Sequence, residues 1–285
     1  MARVLAVVLL VLPPGLLALG WWLTAPLTVR PAVATPIAAA VPVKREMPAV
    51  VHRKCEPRGW PEKQLSGDAA KRILLDSLLT AASRLERIEG YTATFHRQER
   101  IAGKLGPAQK LELKLRHRPF SVYLKFIEPD PGKEVVYAEG QFDNKMIAHA
   151  SGFARRLLPR LAVAPTSPLA LSENRHPITD AGLLRLTRML VRFREMDLAD
   201  PEAVTILDRT CGHDGCRVYR SLHTHPHRHA ERPFARVEVL YDPTTLIPIE
   251  ITSYDWPEGS CDEPLRVAEH YSYDNLELSA ELSDL

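Results

Sequence analysis

The chain predicts an α+β fold, a strongly curved antiparallel sheet of about nine strands covering two helices. Three observations lead there. Apolar and polar residues alternate through most of the chain after residue 90, most clearly where Leu111, Leu113 and Leu115 alternate with Glu112, Lys114 and Arg116. Helical spacing appears in only two folded segments, around Leu74–Ile88 and Leu183–Val191. Short turns such as Pro129-Asp130-Pro131-Gly132 and Asp242-Pro243-Thr244-Thr245 join consecutive strands, which makes neighbours antiparallel. Strands with one apolar face need covering, and two helices cannot cover nine strands unless the sheet wraps over them.

The N-terminus stands apart from the domain. After Arg3, Val4–Leu12 is uninterrupted apolar chain; Pro13-Pro14-Gly15 breaks the run and Leu16–Leu23 resumes it, with Trp21 and Trp22 near its end. A cleaved export signal has a basic start and an apolar stretch of about 7–15 residues. A retained anchor needs about 20 apolar residues. Residues 1–23 are therefore a signal peptide or a membrane anchor, and both place the rest of the chain in the cell envelope, periplasmic or outward-facing. Residues 24–65 repeat Pro among Ala, Val and scattered charge, a composition that favours extended chain and reads as a spacer. The folded domain is expected over 66–285.

In that domain, Ser66 or Asp68 can cap a first helix whose stripe is Leu74, Leu78, Ala81, Ala82, Leu85 and Ile88, stopped by Gly90. Strands follow from Tyr91, with Ala93, Phe95 and Ile101 on one parity and Thr94, His96, Gln98 and Arg100 on the other. Val122, Leu124 and Phe126 face one way in a later strand, and short strands are expected at Glu134–Ala138 and Lys145–Ala150. Residues 151–180 lose the alternation and carry Pro159, Pro165, Pro168 and Pro177, which suits a lid or hidden short helix. Thr179 or Asp180 caps a second helix with the stripe Leu183, Leu186, Leu190 and Val191. Strands resume at Val204–Leu207, Val218–His225, Ala235–Tyr241, Ile247–Tyr254 and Arg266–Leu278.

Net charge is +2, with no run of five or more basic residues, and no basic stripe with interleaved aromatics points to nucleic acid. The distribution is lopsided: 15 Lys+Arg against 9 Asp+Glu over 84–160, and 7 against 19 over 195–285. The two halves can neutralise each other, or the basic half can face anionic lipid. Export permits disulfides. Cys211 and Cys216 bracket a Gly-containing turn and are expected to bridge, which leaves Cys55 and Cys261 as the remaining pair. Zinc would want Cys-x2-Cys pairs, and none occurs.

Four local constellations stand out. His223, His225, His227 and His229 would line one face of a strand and could ligate a metal, but Pro226 and the nearby Arg220, Arg228 and Arg232 favour a solvated hairpin loop, so no metal site is assigned. Glu99, Arg100, Arg116 and Glu134 can form a cross-strand surface ladder or, in a cleft, a paired-carboxylate acid/base site. Trp256 and Tyr271, within aromatic runs of period two, can pack on the sheet or rim an apolar ligand site. Arg175, just before the second helix, suits an anionic head group. No nucleophile elbow, phosphate loop, dinucleotide fingerprint or His-Glu-x-x-His motif occurs, so no enzyme activity and no cofactor is expected.

Several strings belong together. Gln98-Glu99-Arg100, Lys114-Leu115-Arg116, Pro119-Phe120-Ser121-Val122-Tyr123, Lys125-Phe126 and Glu134-Val135-Val136-Tyr137 are followed by Asn174-Arg175-His176-Pro177-Ile178-Thr179, Tyr254-Asp255-Trp256-Pro257 and Glu269-His270-Tyr271-Ser272-Tyr273. In combination they resemble the bacterial domain of unknown function family 1571. That family looks like the periplasmic lipoprotein-carrier (Lol-type) group. The resemblance implies an unclosed antiparallel barrel with helices as a lid over an apolar cavity. A possible uncleaved anchor and the His-rich loop depart from a freely shuttling carrier.

The resulting expectation is an exported domain that binds or carries a hydrophobic small molecule, a lipid or acyl chain. Leu124 and Phe126 would line the site, Trp256 and Tyr271 would rim it, and Arg175 would orient a polar head. The N-terminal segment would contact the membrane. The alternatives are a non-catalytic envelope scaffold and a metal-dependent envelope hydrolase.

Overall fold

The computed structural model describes residues 60–152, 160–212, 215, 217–258 and 264–278, all within the unit Ala49–Leu285. The apolar N-terminal run, the spacer before Trp60, Cys55, Cys216 and Cys261 lie outside the described residues. Among the described residues no helix is long and apolar enough to cross a membrane.

The strands are β1 (Leu65–Ser66), β2 (Gly90–Ile101), β3 (Lys104–Leu105), β4 (Gln109–His117), β5 (Phe120–Glu128), β6 (Glu134–Ala138), β7 (Met146–His149), β8 (Leu161–Val163), β9 (Val204–Cys211), β10 (Arg217–Thr224), β11 (Arg236–Tyr241), β12 (Pro248–Tyr254) and β13 (Val267–Leu278). They form one antiparallel sheet of 13 strands in the order β1-β9-β10-β11-β12-β13-β2-β4-β5-β6-β7-β8, with β3 on β2. The edge strands β1 and β8 do not pair with each other, so the curved wall stays open. The count exceeds the expected nine largely because β1 and β3 have two residues each and β8 has three, too short to show a period of two.

The long helices are α1 (Asp68–Leu85) and α3 (Leu183–Ala199); a short α2 (Pro168–Leu171) lies between β8 and α3. Hydrogen bonds fix their directions. Gly67 N–H donates to Thr205 O at the start of α1, and Arg84 at its end donates to Thr244 O and Thr245 O. Arg188 near the start of α3 meets Glu86 just past α1 at 2.7 Å, and Lys71 near the start of α1 donates to Asp200 O just past α3. The two helices therefore run antiparallel inside the curved sheet, and the molecule has two ends. One, the Tyr91 end, carries the start of β2, the β4–β5 and β6–β7 turns and the start of α3. The other, the Glu99 end, carries the β5–β6 and β10–β11 turns and the end of α3.

Two apolar clusters fill the space between helices and sheet. Leu74, Leu78 and Leu190 pack on Leu207, Val239 and Ile251 in the first. Ala81, Leu85 and Leu183 pack on Tyr91, Leu115 and Val122 in the second. The α1 stripe is as expected, except that Ile88 lies beyond the helix and only partly buried. Packed chain begins earlier than the expected boundary: Trp60 is buried, stacks on Tyr219 at 4.8 Å and donates Nε1–H to Asp208 O.

Both helix starts depart from the sequence expectation. Gly67 rather than Ser66 or Asp68 caps α1, and Gly182 rather than Thr179 or Asp180 caps α3, neither with a side-chain bond. The first free amide of α3 is instead satisfied by the sheet, since Leu183 N–H donates to Tyr91 Oη at 2.8 Å. This contact brings the α3 start so near β4 that a Cβ at Gly182 would collide with Leu115 Cδ1. Gly182 also has φ +104°, where side chains are strained. Gly182→Ala is therefore expected to lower stability by about 1–3 kcal/mol, measured by urea unfolding.

Candidate functional site

The inner face of β2 follows from its alternation. Tyr91, Ala93 and Phe95 point inward at one end; Arg97 and Glu99 continue the same parity at the other. Glu99 is paired in register with Glu269 of β13, and Arg97 with Tyr271. The sheet thus places two carboxylates side by side on its inner face, Glu99 at 9% exposure and Glu269 at 1%. Like charges directly opposite are unfavourable, so this pair needs compensation.

It comes from the chain between α2 and α3, which crosses the inner side of the sheet as a strap. Arg175 N–H donates to Glu99 Oε2 (3.1 Å), while its side chain lies 3.3 Å from Glu269 Oε2 and donates to Arg100 O. His176 Nε2–H donates to Glu269 Oε2 at 2.9 Å. Asn174 Oδ1 accepts from Arg97, and Asn174 Nδ2 donates to Ala170 O. From the sheet side, Ser253 Oγ donates to Glu269 Oε1 and Tyr271 Oη donates to Glu99 Oε1. Burial, together with the charges of Glu269 and Glu99, pushes the Tyr271 phenol far up, so it stays a donor. The hydrogen bond that His176 donates to Glu269 raises its pKa. The strap then runs on to Ile178 in the second cluster and to Leu183 beside Tyr91.

Three of the strings quoted above, 98–100, 174–179 and 269–273, meet in this network. The expected surface ladder of Glu99 with Arg116 and Glu134 does not form, because Glu99 faces inward and the register puts Arg116 across from Gly90 at the other end of β2. Glu134 sits across from Lys125 and His149.

The expected ligand residues separate. Tyr271 and Arg175 are in the network, where Arg175 is already matched to Glu269. Phe126 is buried beside them, with the Arg97 and Lys133 cations 5.9 and 4.9 Å from its ring centre. Leu124 lies farther along β5 and is half-buried. Trp256 sits in the loop after β12, where its Nε1–H donates to Pro233 O. Cys211 ends β9 as an exposed residue, and the Cys211–Cys216 bridge rests on a residue outside those described.

Leu124 belongs to a row that crosses the inner face. Leu113, Leu124, Val135, Ala148 and Leu161 are successive register partners on β4 to β8. All five are apolar. Leu113 is buried, but the other four are only half-buried. The apolar lining therefore extends past the area that α1 and α3 cover.

A second polar cluster lies under the end of α3. Its buried stripe is Leu183, Thr187, Leu190, Arg194 and Asp197; the expected Leu183 and Leu190 are in it, and the expected Leu186 and Val191 pack beside it only partly buried. Asp197 accepts from His225 Nε2 (3.0 Å) and Arg232 (2.8 Å) and lies 3.0 Å from Arg194. Burial would raise the Asp197 pKa, but the His225 hydrogen bond and the Arg194 charge hold it well below the usual carboxylate range. The His run is accordingly divided. His223 and His225 continue β10 inward and are buried, whereas His227 and His229 are exposed, so only the second half is a solvated loop. Among the described residues no group of three or more His, Cys, Asp or Glu is placed to hold a metal.

Ser221, His223 and Asp197 have the residue types of a hydrolase triad. The His223 Nε2 to Ser221 Oγ distance is 2.9 Å, but His223 Nδ1 is 3.8 Å from Asp197 and 3.2 Å from Thr205 Oγ1. Ser221 is fully buried and bonded to Tyr241 Oη, so no substrate reaches it. Burial and the Arg194 charge push the His223 pKa well down, which keeps the ring neutral. The cluster is a lock between α3 and β10.

The pattern of the family described as protein of unknown function (DUF1571) matches residues 88–285. The chain belongs to that family. No curated protein matches its sequence. Solved structures of similar outline include a putative outer membrane lipoprotein-sorting protein domain from Vibrio parahaemolyticus, with 10% identity, 74% of this chain and 94% of that one covered, and a TM-score of 0.34. Lipoprotein LppX of Mycobacterium tuberculosis has 11% identity, 74% and 98% coverage and a TM-score of 0.39. A LolA superfamily protein from Nitrosomonas europaea has 9% identity, 74% and 93% coverage and a TM-score of 0.29.

Two outcomes test the site. Asp197→Ala leaves Arg194 and Arg232 without their shared carboxylate and should cost about 3–5 kcal/mol. Arg194→Met removes a cation whose guanidinium nitrogens make no hydrogen bond among the described residues, and should cost markedly less in the same denaturant titration. The strap should respond to pH. A raised His176 pKa means that its contribution is fully present below the unfolded value of 6.5 and is lost as pH rises through the folded one. Hydrogen exchange of the amides of residues 174–176, corrected for intrinsic rate, should thus be faster at about pH 8 than at about pH 6, and His176→Gln should remove the difference.

Proposed function

We propose that the domain holds a hydrophobic ligand, a lipid or acyl chain, against the inner face of β4–β8, beneath the strap, in the cell envelope. The observation that carries this reading is the row Leu113–Leu124–Val135–Ala148–Leu161, apolar throughout yet left half-buried over four strands. A wall built only to close a core would have those positions covered by a helix or carry polar residues there, since apolar surface left in water forfeits about 25 cal/mol per Å². Phe126 and Leu124 remain lining residues in this reading. Arg175 changes role: matched to Glu269, it fastens the strap instead of meeting an anionic head. Export and attachment through residues 1–23 belong to the same reading and rest on the sequence pattern alone.

Binding of a fluorescent long-chain fatty acid tests it, with Val135→Lys as the diagnostic variant because Val135 is half-buried in the middle of the row. Saturable uptake by the natural protein and a loss of at least about tenfold in the variant, with melting temperature little changed, is the expected outcome. No saturable uptake, together with no lipid in extracts of protein purified without detergent, would overturn the carrier reading in favour of a scaffold.

A further inference from the structure

The residue that this reading leaves unused is Phe142. It is the one aromatic among the large apolar side chains exposed in the described residues, at 57%; the others are Leu79, Leu169 and Val204. It sits at the tip of the β6–β7 turn, where Phe142, Asp143 and Asn144 all have left-handed φ, at 51°, 57° and 55°. Asp and Asn tolerate that region, but a bulky ring at such a φ is an outlier. Hydrogen bonds hold the turn in place: Gly140 N–H donates to Asn144 Oδ1 at 2.8 Å, and Lys145 N–H donates to Phe142 O at 3.0 Å. The backbone is thus fastened in a conformation that Phe disfavours and that presents the ring to solvent.

We propose that the Tyr91 end of the sheet is a rim that docks on a lipid surface, with Phe142 as the side chain that enters the bilayer interface. The surroundings of the turn support a lipid surface over a protein groove. The same end carries partly buried Ile88, Met146, Ile178, Leu184 and Leu278 around the second cluster, so apolar surface continues inward from Phe142. Part of the rim's charge is matched within it, Arg188 with Glu86 at 2.7 Å, Lys145 with Asp143 at 3.6 Å and Arg185 with Asp180 at 3.9 Å, and the same end also carries Arg87, Arg116 and Arg118 beside Glu89 and Glu139. Charges of the two signs occur there in similar number, so docking depends on ring insertion more than on anionic head groups. Aromatic rings with apolar bodies favour the depth between head groups and acyl chains. Docking of this kind needs no bound ligand.

The test uses the full chain and vesicles of phosphatidylcholine alone. An environment-sensitive fluorescent amino acid, dansylalanine, replaces Phe142 in one protein and Val204 in another. Val204 is exposed at the Glu99 end, so an N-terminal segment that merely tethers the protein to vesicles would affect the two labels alike. Docking through the rim gives a blue shift at position 142 on vesicle addition and none at 204, with little change on adding salt. An equal shift at both positions, or none at 142, overturns it. With the label moved to position 141, Phe142→Ser should abolish the shift while leaving the melting temperature unchanged or higher; a retained shift overturns the role of the ring. Val135→Lys should lose fatty-acid uptake and still give the shift at 142, so the carrier reading and the docking rim fail separately.

Discussion

The structure depends on a like-charge pair. Glu99 and Glu269 occupy directly opposed positions on the inner face of adjacent strands, nearly out of water. Neither can turn outward, because register fixes the face on which each side chain lies and a one-residue slip would expose Tyr91, Ala93 and Phe95. Ser253 and Tyr271 supply neutral donors from the sheet, but among the described residues only the strap brings Arg175 and His176 into contact with Glu269. The carboxylate pair therefore determines where the strap must lie. The strap in turn delivers Ile178 to the second cluster and Gly182 against Leu115, which sets the start of α3. A change at Glu269 should propagate to the placement of the start of α3, beside Tyr91 at the opposite end of β2.

The other end of α3 is fixed by a different polar device. Its stripe begins apolar with Leu183 and Leu190 and ends with Arg194 and Asp197, all facing inward. Asp197 links α3 to the end of β10 through His225 and to the following loop through Arg232. A buried carboxylate with several partners makes the docking of α3 directional, since no other position along the sheet offers the same donors. The helix is held at its start by a Tyr91 hydroxyl and a missing Cβ, and at its end by a carboxylate, with apolar packing between.

Most of the sheet was legible in the sequence, because period-two alternation is local: Leu111, Leu113 and Leu115 are buried and their neighbours are not. The site was legible only in pieces. The parity of Ala93 and Phe95 already places Arg97 and Glu99 on the inner face, but charge at those positions reads as surface unless a partner is known. Glu99, Arg175 and Glu269 are separated by 76 and 94 residues. No spacing rule connects them, although three of the strings that identify the family contain them. The stripe of α3 could have been followed to Arg194 and Asp197 at spacings of four and three from Leu190; substituting apolar Leu186 and Val191 hid it. The helix caps could not be read, since Gly67 and Gly182 act through backbone φ and close approach, and neither leaves a polar side-chain signature.

The two ends of the molecule differ in chemistry, and the difference gives the fold a direction. At the Glu99 end the strap is fastened by ionic contacts to buried carboxylates, and α3 is fastened by Asp197. At the Tyr91 end the strap meets the second cluster through Ile178 and Ala181, which are only partly buried, while the start of α3 is held by buried Leu183 and its hydrogen bond to Tyr91. Apolar contacts are non-directional and separate gradually, whereas a charge-assisted network loses its stability when any one member leaves. Compared with the Glu99 end, where it covers Glu99 and Glu269, the strap itself is therefore held more weakly at the Tyr91 end. That is the end where Phe142 is held out to solvent and where the half-buried inner surface begins, so an apolar molecule leaving a bilayer at this rim would meet continuous apolar surface up to the row on β4–β8.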